Sequence, residues 1–443
     1  MRIRNLRLRN FKRFTDLTIE GIPEDTRLVL LTGSNGSGKS NVFDAFEVIS
    51  RNSKGHNIHN YDIDLKAYYR KKITSIYQID ISANKDIYSY EEQKGYTGKV
   101  FQPKAFYGRS SFRQVPILTR KNLGMSKFDF EKDDDRPVLF IDRGARFEND
   151  IEKISGSILE AFFKTDQDTK AIRERYIDPI NVALANIFGA DSATALKLIN
   201  MSPPLEGKVA RLLFQKGGSA FHYNQLSAGE KEIFNVLLSL IARKDHFQDT
   251  IYFCDEIDLH LNAKIQYAFL KEIIANWLPD NCQLWTASHS LGFIEYATEY
   301  EKGCVIDFDD LDFDTPQVLR PKAKDQFEVI EIAVSKAFID KVVQGGRIVF
   351  SENQNTPIFN DLNLENTFFF VGIDNSDVFH KAKNHKQLGL IDRDYLTDEE
   401  TMGLRKDCPN IYILPYYSFE NLCKRAGRTA KRKSCRSCQN ILF

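Results

Sequence analysis

Eight residues constrain this chain more than any others. "GSNGSGKS", Gly33 to Ser40, fits G-x-x-x-x-G-K-[ST] and stands between an apolar run, "RLVLLT", and a helical stretch with apolar residues at Val42, Phe43, Phe46 and Ile49. A strand, a glycine-rich turn and a helix in that order place the backbone of Gly33, Ser34, Asn35, Gly36, Ser37, Gly38, Lys39, Ser40 and Asn41 around one point at a helix N-terminus, where peptide dipoles favour a phosphate. The glycines let the chain come close to the anion. Lys39 is then expected to reach the outer phosphates of a nucleoside triphosphate, and the Ser40 hydroxyl to ligate Mg²⁺.

Such a loop needs a second element that supports the metal and activates water. "TIYFCDE" supplies one: Ile251 to Cys254 read as a buried strand ending in Asp255 and Glu256. Asp255 is expected to hold Mg²⁺ through its water shell and Glu256 to polarise the attacking water as general base. A strand ending in two acids also occurs in solvated turns, and it is the upstream loop that favours the catalytic reading.

Composition excludes several classes. The 443 residues suffice for two or three domains, and 42% hydrophobic with 28% charged residues is the balance of an ordinary globular protein. Sixty-one basic residues cancel 61 acidic ones, so a polyanion would have to bind a local basic patch. "MRIRNLRLRNFKRF" alternates basic and apolar residues and reads as an amphipathic strand rather than a signal peptide, and no apolar run is long enough to span a bilayer. A cytoplasmic protein with no membrane partner is expected. The seven cysteines fit reduced thiols better than a disulfide framework, and "CRSC" (Cys435, Cys438), lacking a second pair, is a weak zinc signal.

"NQLSAGEKE", residues 224–232, resembles the signature motif of ABC-type ATPases, in the form of the structural-maintenance-of-chromosomes and RecF branch. The resemblance implies ATP and Mg²⁺ as ligands and a head-to-tail homodimer, in which Ser227 and Gly229 of one copy close over the γ-phosphate held by the other. It implies that His289, in "LWTASHS", is the switch histidine that contacts the γ-phosphate, and that Lys39, Glu256 and His289 form the catalytic set. Ser-x-Gly at a helix start is in any case an anion-favouring N-terminus. "DLHLN", Asp258 to Asn262, resembles the segment after the catalytic acid in RecF-like and OLD-family ATPases, with Asn262 in place of a proline. The family's Q-loop glutamine has no clear counterpart, Gln78 being one candidate. "FYGRSSFRQ", residues 106–114, sets Arg109 and Arg113 among aromatic residues, which reads either as a phosphate-and-base contact or as a solvated loop.

The fold class expected is α/β: an ABC-type P-loop ATPase domain over residues 1–324 with an insertion at 51–150, a helical linker at 325–345, and a smaller Toprim-like α/β domain at 346–443. "RIVFSEN", "TFFFVGIDN" and "LGLIDRD" are three apolar runs with acids at their carboxyl ends, the arrangement by which an open α/β sheet builds a site at one edge. They resemble the Toprim fold, and the resemblance implies that Glu352, Asp392 and Asp394 bind Mg²⁺ for phosphodiester chemistry. "ILPYYSFENL" further resembles the partner module of anti-phage ATPases such as the PARIS type. Two departures count against cleavage, one in the motif after Glu352 and one at the end of the chain. Asn353 follows Glu352 where glycine is usual, and Thr356 stands where an acid is expected. After Asn421 the chain turns strongly basic, which reads as a basic tail that touches nucleic acid or as a reading-frame change that truncates the domain.

Two functions follow. One is an ATPase clamp controlling a module that acts on DNA or RNA in phage defence. The other is a nucleotide-gated sensor or scaffold for an effector protein.

Overall fold

The structure, a computed structural model, describes residues 1–55, 68–110, 145–164, 169–190, 195–202, 211–322, 346–352, 355–361, 364 and 366–418. The expected 325–345 linker, Arg113, Asn353, the Cys435–Cys438 pair and the basic tail lie outside them. The chain divides into two compact units, residues 1–324 and 325–443.

In the first unit, β1 (Ile3–Phe11) and β2 (Phe14–Ile19) bury Ile3, Leu6, Leu8 and Phe11, and Phe14, Leu17 and Ile19. Apolar side chains buried and the polar ones between them left at least partly exposed mark a sheet covered on one face, with the register of β1 on β4 shifting between Ile3 and Asn5. β4 (Gln78–Ala83), β5 (Asp86–Glu91) and β6 (Gly95–Tyr96) extend this sheet, and β14 (Pro316–Leu319) joins beside β2, giving the order β14-β2-β1-β4-β5-β6. Gln78 therefore sits in this sheet opposite Arg9, its amide donating to Asp80 at 3.0 Å.

A second sheet is assembled from distant segments: β3 (Leu28–Thr32), β7 (Phe106–Arg109), β11 (Ile251–Asp255), β12 (Gln283–Ala287) and β13 (Gly303–Asp307). Its order is β13-β3-β12-β11-β7, and every pair is parallel. β3, β7, β11 and β12 are buried along their whole length, as strands covered on both faces must be. Helix α1 (Lys39–Ser53) covers one face. Its Phe46 ring lies 5.7 Å from Phe253, 5.6 Å from Phe106 and 5.2 Å from Trp285, an aromatic cluster with no solvent-exposed member. Of the segment expected as an insertion, β4, β5 and β6 thus belong to the first sheet and β7 to the second.

Helices α2 (Ala145–Lys164), α3 (Thr169–Tyr176) and α4 (Asp178–Phe188) precede an antiparallel sheet, β8 (Lys197–Ser202), β9 (Arg211–Lys216) and β10 (Ser219–His222). This sheet delivers the chain to α5 (Ala228–Arg243), after which come α6 (Ala263–Glu272) and α7 (Leu291–Glu299). A buried charged layer joins β7, α2 and α5. Arg109 pairs with Glu232 at 3.2 Å, Arg243 pairs with Asp150, Arg146 donates to the Gly108 carbonyl at 2.9 Å, and the Tyr107 hydroxyl meets Ser239 at 2.6 Å. Arg109 is only 8% exposed, so its guanidinium serves this layer and not a surface contact with phosphate or base.

The second unit is a parallel sheet of β15 (Arg347–Glu352), β16 (Thr367–Gly372), β17 (Leu388–Ile391) and β18 (Ile411–Ile413), in the order β16-β15-β17-β18. Residues alternate between two apolar layers: Ile348 and Phe350 meet Val378, Ala382 and Ile391 on one face, and Val349 meets Phe359, Phe369 and Leu390 on the other. Helices α8 (Thr356–Asp361), α9 (Asn375–His385) and α10 (Asp398–Asp407) connect the strands.

Candidate nucleotide site

Because the second sheet is wholly parallel, five carboxyl ends open on one edge, and β3 runs from there into the glycine-rich loop. Two glycines are indispensable by geometry. Gly38, which caps α1, has φ +98°, and a Cβ there would lie 2.6 Å from Phe14 Cζ. Gly33 has φ +132°, and its Cβ would lie 2.9 Å from Ser37 Oγ and 3.2 Å from the Asp309 nitrogen. The Lys39 ammonium is folded back on the loop, donating to the Gly33 carbonyl at 2.6 Å and the Ser34 carbonyl at 2.9 Å. Burial lowers its pKa from the ordinary lysine value, while the carboxylates of Asp255, Glu256, Asp309 and Asp307 oppose that shift.

The loop and the acidic strand end meet directly. Ser40 Oγ donates to Asp255 Oδ2 at 2.9 Å, across 215 residues of sequence, and Asp255 is 2% exposed. A buried carboxylate behind the serine hydroxyl suits an Mg²⁺ that Ser40 would ligate directly and Asp255 would hold through a bound water.

Glu256 follows with φ +48°, its N–H donating to the Ala287 carbonyl at 3.1 Å, which ties the acid to the end of β12. From there Ser288 donates to Asp258, 7% exposed, at 2.7 Å, and His289 stands exposed at the sheet edge. Ala287 is in register with both Asp255 and Leu31, so β12 carries His289 out between the two motifs. Asn262 caps α6, its Oδ1 accepting from the Ile265 N–H at 3.0 Å, so asparagine ends the loop as the helix cap.

Ser227 caps α5 in a reciprocal box: its hydroxyl accepts from the Glu230 N–H at 3.3 Å, and Glu230 Oε2 accepts from the Ser227 N–H at 2.9 Å. Gly229 is needed within its own chain, because a Cβ there would lie 2.8 Å from the His260 carbonyl oxygen and 2.9 Å from Leu261 Cδ2. The start of α5 thus rests on the loop that follows Glu256. Sequence reasoning did not single out Arg13, which donates to the Gly36 carbonyl at 2.6 Å, or Asp309, which accepts from the Ser34 N–H at 2.6 Å. The signal for Asp309 was there: "CVIDFDD" is another apolar strand ending in acids.

In the second unit Glu352 ends β15, and Asp392 directly follows the adjacent strand β17. Asp392 is 5% exposed and accepts from the Asn355 amide at 3.4 Å. Asp394, with φ +44°, accepts from Asn375 at 2.7 Å. Thr356, where an acid was expected, is buried and bonded to Ser351 Oγ at 2.8 Å and to the Glu352 carbonyl at 3.0 Å. Among the described residues no three His, Cys, Asp or Glu side chains are grouped so as to hold a metal ion, and no helix is long and apolar enough to cross a membrane.

A phosphate loop joined through its serine to a buried aspartate at the edge of a parallel sheet defines a P-loop ATPase domain. Residues 28–295 match the family described as "AAA domain, putative AbiEii toxin, Type IV TA system", and the chain belongs to that family. No curated protein matches the sequence. Among solved structures, it is similar to an SMC head bound to the C-winged helix domain of ScpA, at 16% identity over 69% of this chain and 94% of that one, with a TM-score of 0.41. It is similar also to the SMC head domain from Thermotoga maritima, at 17% identity over 73% and 99%, TM-score 0.37. A third is the Smc head with an extended coiled coil bound to the C-terminal domain of ScpA, from Pyrococcus furiosus, at 13% over 69% and 92%, TM-score 0.39. These likenesses are distant in both sequence and superposition.

Proposed function

We propose that the protein is an ABC-type ATPase that closes as a head-to-tail dimer around ATP and Mg²⁺, and uses that closure to control a Toprim-like second unit acting on nucleic acid in phage defence. The observation that carries the reading is the 2.9 Å bond from Ser40 to Asp255, which joins the phosphate loop to the acidic strand end. In this reading the loop amides and Lys39 hold the phosphates, while Ser40 directly and Asp255 through water would hold an Mg²⁺ that would supply positive charge beside the phosphate oxygens. Glu256 takes a proton from the attacking water, and His289 faces the γ-phosphate from the same edge. Ser227 and Gly229 of a second copy cover it. The capping box at Ser227 supports that role, since it fixes an anion-favouring helix start. Lys39→Ala is expected to abolish ATP binding, measured by calorimetry, and Glu256→Gln to abolish hydrolysis while retaining binding. Wild-type protein that neither binds nor hydrolyses ATP would refute the reading.

The second unit has two readings. Its parallel sheet with Glu352, Asp392 and Asp394 near one edge supports a Toprim-like nuclease site binding Mg²⁺. The amide partners of Asp392 and Asp394 favour instead a docking module for an effector or sensor protein, since both carboxylates are already engaged by asparagine. DNA and RNA incubated with Mg²⁺ or Mn²⁺ separate them. Cleavage lost in Asp392→Ala supports the nuclease, and no cleavage by either protein supports docking.

A further inference from the structure

The geometry points to Asp309 as a positioning residue of the phosphate loop, holding its first peptide in the orientation from which Lys39 works; the inference rests on the nucleotide-site reading above. β13 runs beside β3 with Asp307 opposite Thr32, so both strands leave the sheet at the same edge and height. The Phe308 N–H donates to the Thr32 carbonyl at 2.9 Å, which carries the ladder one residue further. Asp307 Oδ1 then accepts from the Asp309 N–H at 3.0 Å and turns the chain, and Asp309 Oδ1 accepts from the Ser34 N–H at 2.6 Å.

That charge-assisted bond falls on one side of the Gly33–Ser34 peptide. On the other side the Gly33 carbonyl accepts from Lys39 Nζ at 2.6 Å, as it can because the N–H and C=O of a trans peptide point opposite ways. A single peptide is gripped from both sides. A carboxylate on its N–H also polarises its carbonyl, strengthening the hold on the ammonium. Gly33 makes the grip possible: a Cβ 3.2 Å from the Asp309 nitrogen would wedge the two strand exits apart. The same acidic segment continues to Phe313, whose ring lies 5.5 Å from Phe14 and 5.8 Å from the Arg13 guanidinium, and Arg13 holds the Gly36 carbonyl. Residues 307–313 thus hold the phosphate loop directly at Ser34 and, through Phe313 packed on Arg13, indirectly at Gly36.

A charge near a polyanion and a hydrogen bond to the loop make opposite predictions. If Asp309 only repelled phosphate, both Asp309→Ala and Asp309→Asn would tighten ATP binding. As a positioning residue, its replacement by alanine weakens binding about tenfold, which is about 1.4 kcal/mol and near the lower range for a hydrogen bond to a charged group. Asparagine keeps a carbonyl oxygen on the Ser34 N–H and restores binding to within about threefold of wild type.

ATP affinity of the full chain is measured by calorimetry for wild type, Lys39→Ala and both Asp309 variants, with hydrogen exchange followed across residues 28–40. Wild-type binding that Lys39→Ala abolishes establishes the site independently, and its absence would defeat the functional reading rather than the role of Asp309. Weak binding and faster exchange in Asp309→Ala, both recovered in Asp309→Asn, are expected. Binding in Asp309→Ala that equals or exceeds wild type, or an equal loss in both variants, overturns the inference.

Discussion

Replacing Gly38 with alanine tests whether this glycine answers to the fold or only to phosphate. Its φ of +98° lies in the left-handed region, which costs a residue with a Cβ about 1–2 kcal/mol. The new methyl would also stand 2.6 Å from Phe14 Cζ and 3.2 Å from Cε1. Phe14 cannot easily yield, being 1% exposed and packed edge-on against Phe313 at 5.5 Å, so overpacking adds about 1–3 kcal/mol. Together the loss is about 2–5 kcal/mol, a large part of the stability of an ordinary domain. The assay is urea unfolding without nucleotide, followed by circular dichroism. Phe14→Leu removes the far end of the ring, so the double variant should show favourable coupling: the collision is relieved while the dihedral cost of about 1–2 kcal/mol stays. A Gly38→Ala protein within about 0.5 kcal/mol of wild type in the absence of nucleotide would refute the reasoning and leave phosphate approach as the only demand on this position.

Two further substitutions probe the supports of the site. Arg109→Met removes a buried partner of Glu232 and should destabilise the protein by about 1–3 kcal/mol in the same unfolding assay, while leaving any affinity for single-stranded nucleic acid in a filter-binding test unchanged. Asn262→Ala removes the cap of α6 and should cost about 1 kcal/mol. Because Asn262 ends the loop that begins at Glu256, it should lower the rate of ATP hydrolysis more than ATP affinity, which steady-state kinetics beside calorimetry would read.

The phosphate loop, α1 and the acids after β11 were legible because each is written in consecutive residues: a turn that demands glycine, a helical period, an apolar strand with a charged end. Strand order was not. β7 and β11 are neighbours although Arg109 and Cys254 are far apart in the chain, and nothing local announces that pairing. Arg109 illustrates the consequence, since a basic residue among aromatics looks the same in a solvated loop and in a buried layer, and the difference is Glu232, 123 positions on. Asp309 was hidden for the same reason. Its own strand signal matches that of Asp255, but its meaning depends on β13 lying beside β3. Asn262 stands where the RecF-like and OLD-family segment that it resembles has a proline, and only the structure gives the asparagine a use, as a helix cap. In the second unit the acidic strand ends were readable, whereas their asparagine partners were not: Asn355 lies outside the quoted runs, and Asn375, the last residue of "TFFFVGIDN", carries no local sign that it meets Asp394.

The central claim, an ATP-dependent clamp, is tested most directly by the mass of the Glu256→Gln protein in solution. Light scattering after gel filtration, with ATP and Mg²⁺, should give two chains per particle. The same variant without ATP, or with Lys39→Ala or Ser227→Arg added, should give one. A Glu256→Gln protein whose mass is the same with and without ATP, although it binds the nucleotide, would contradict the account.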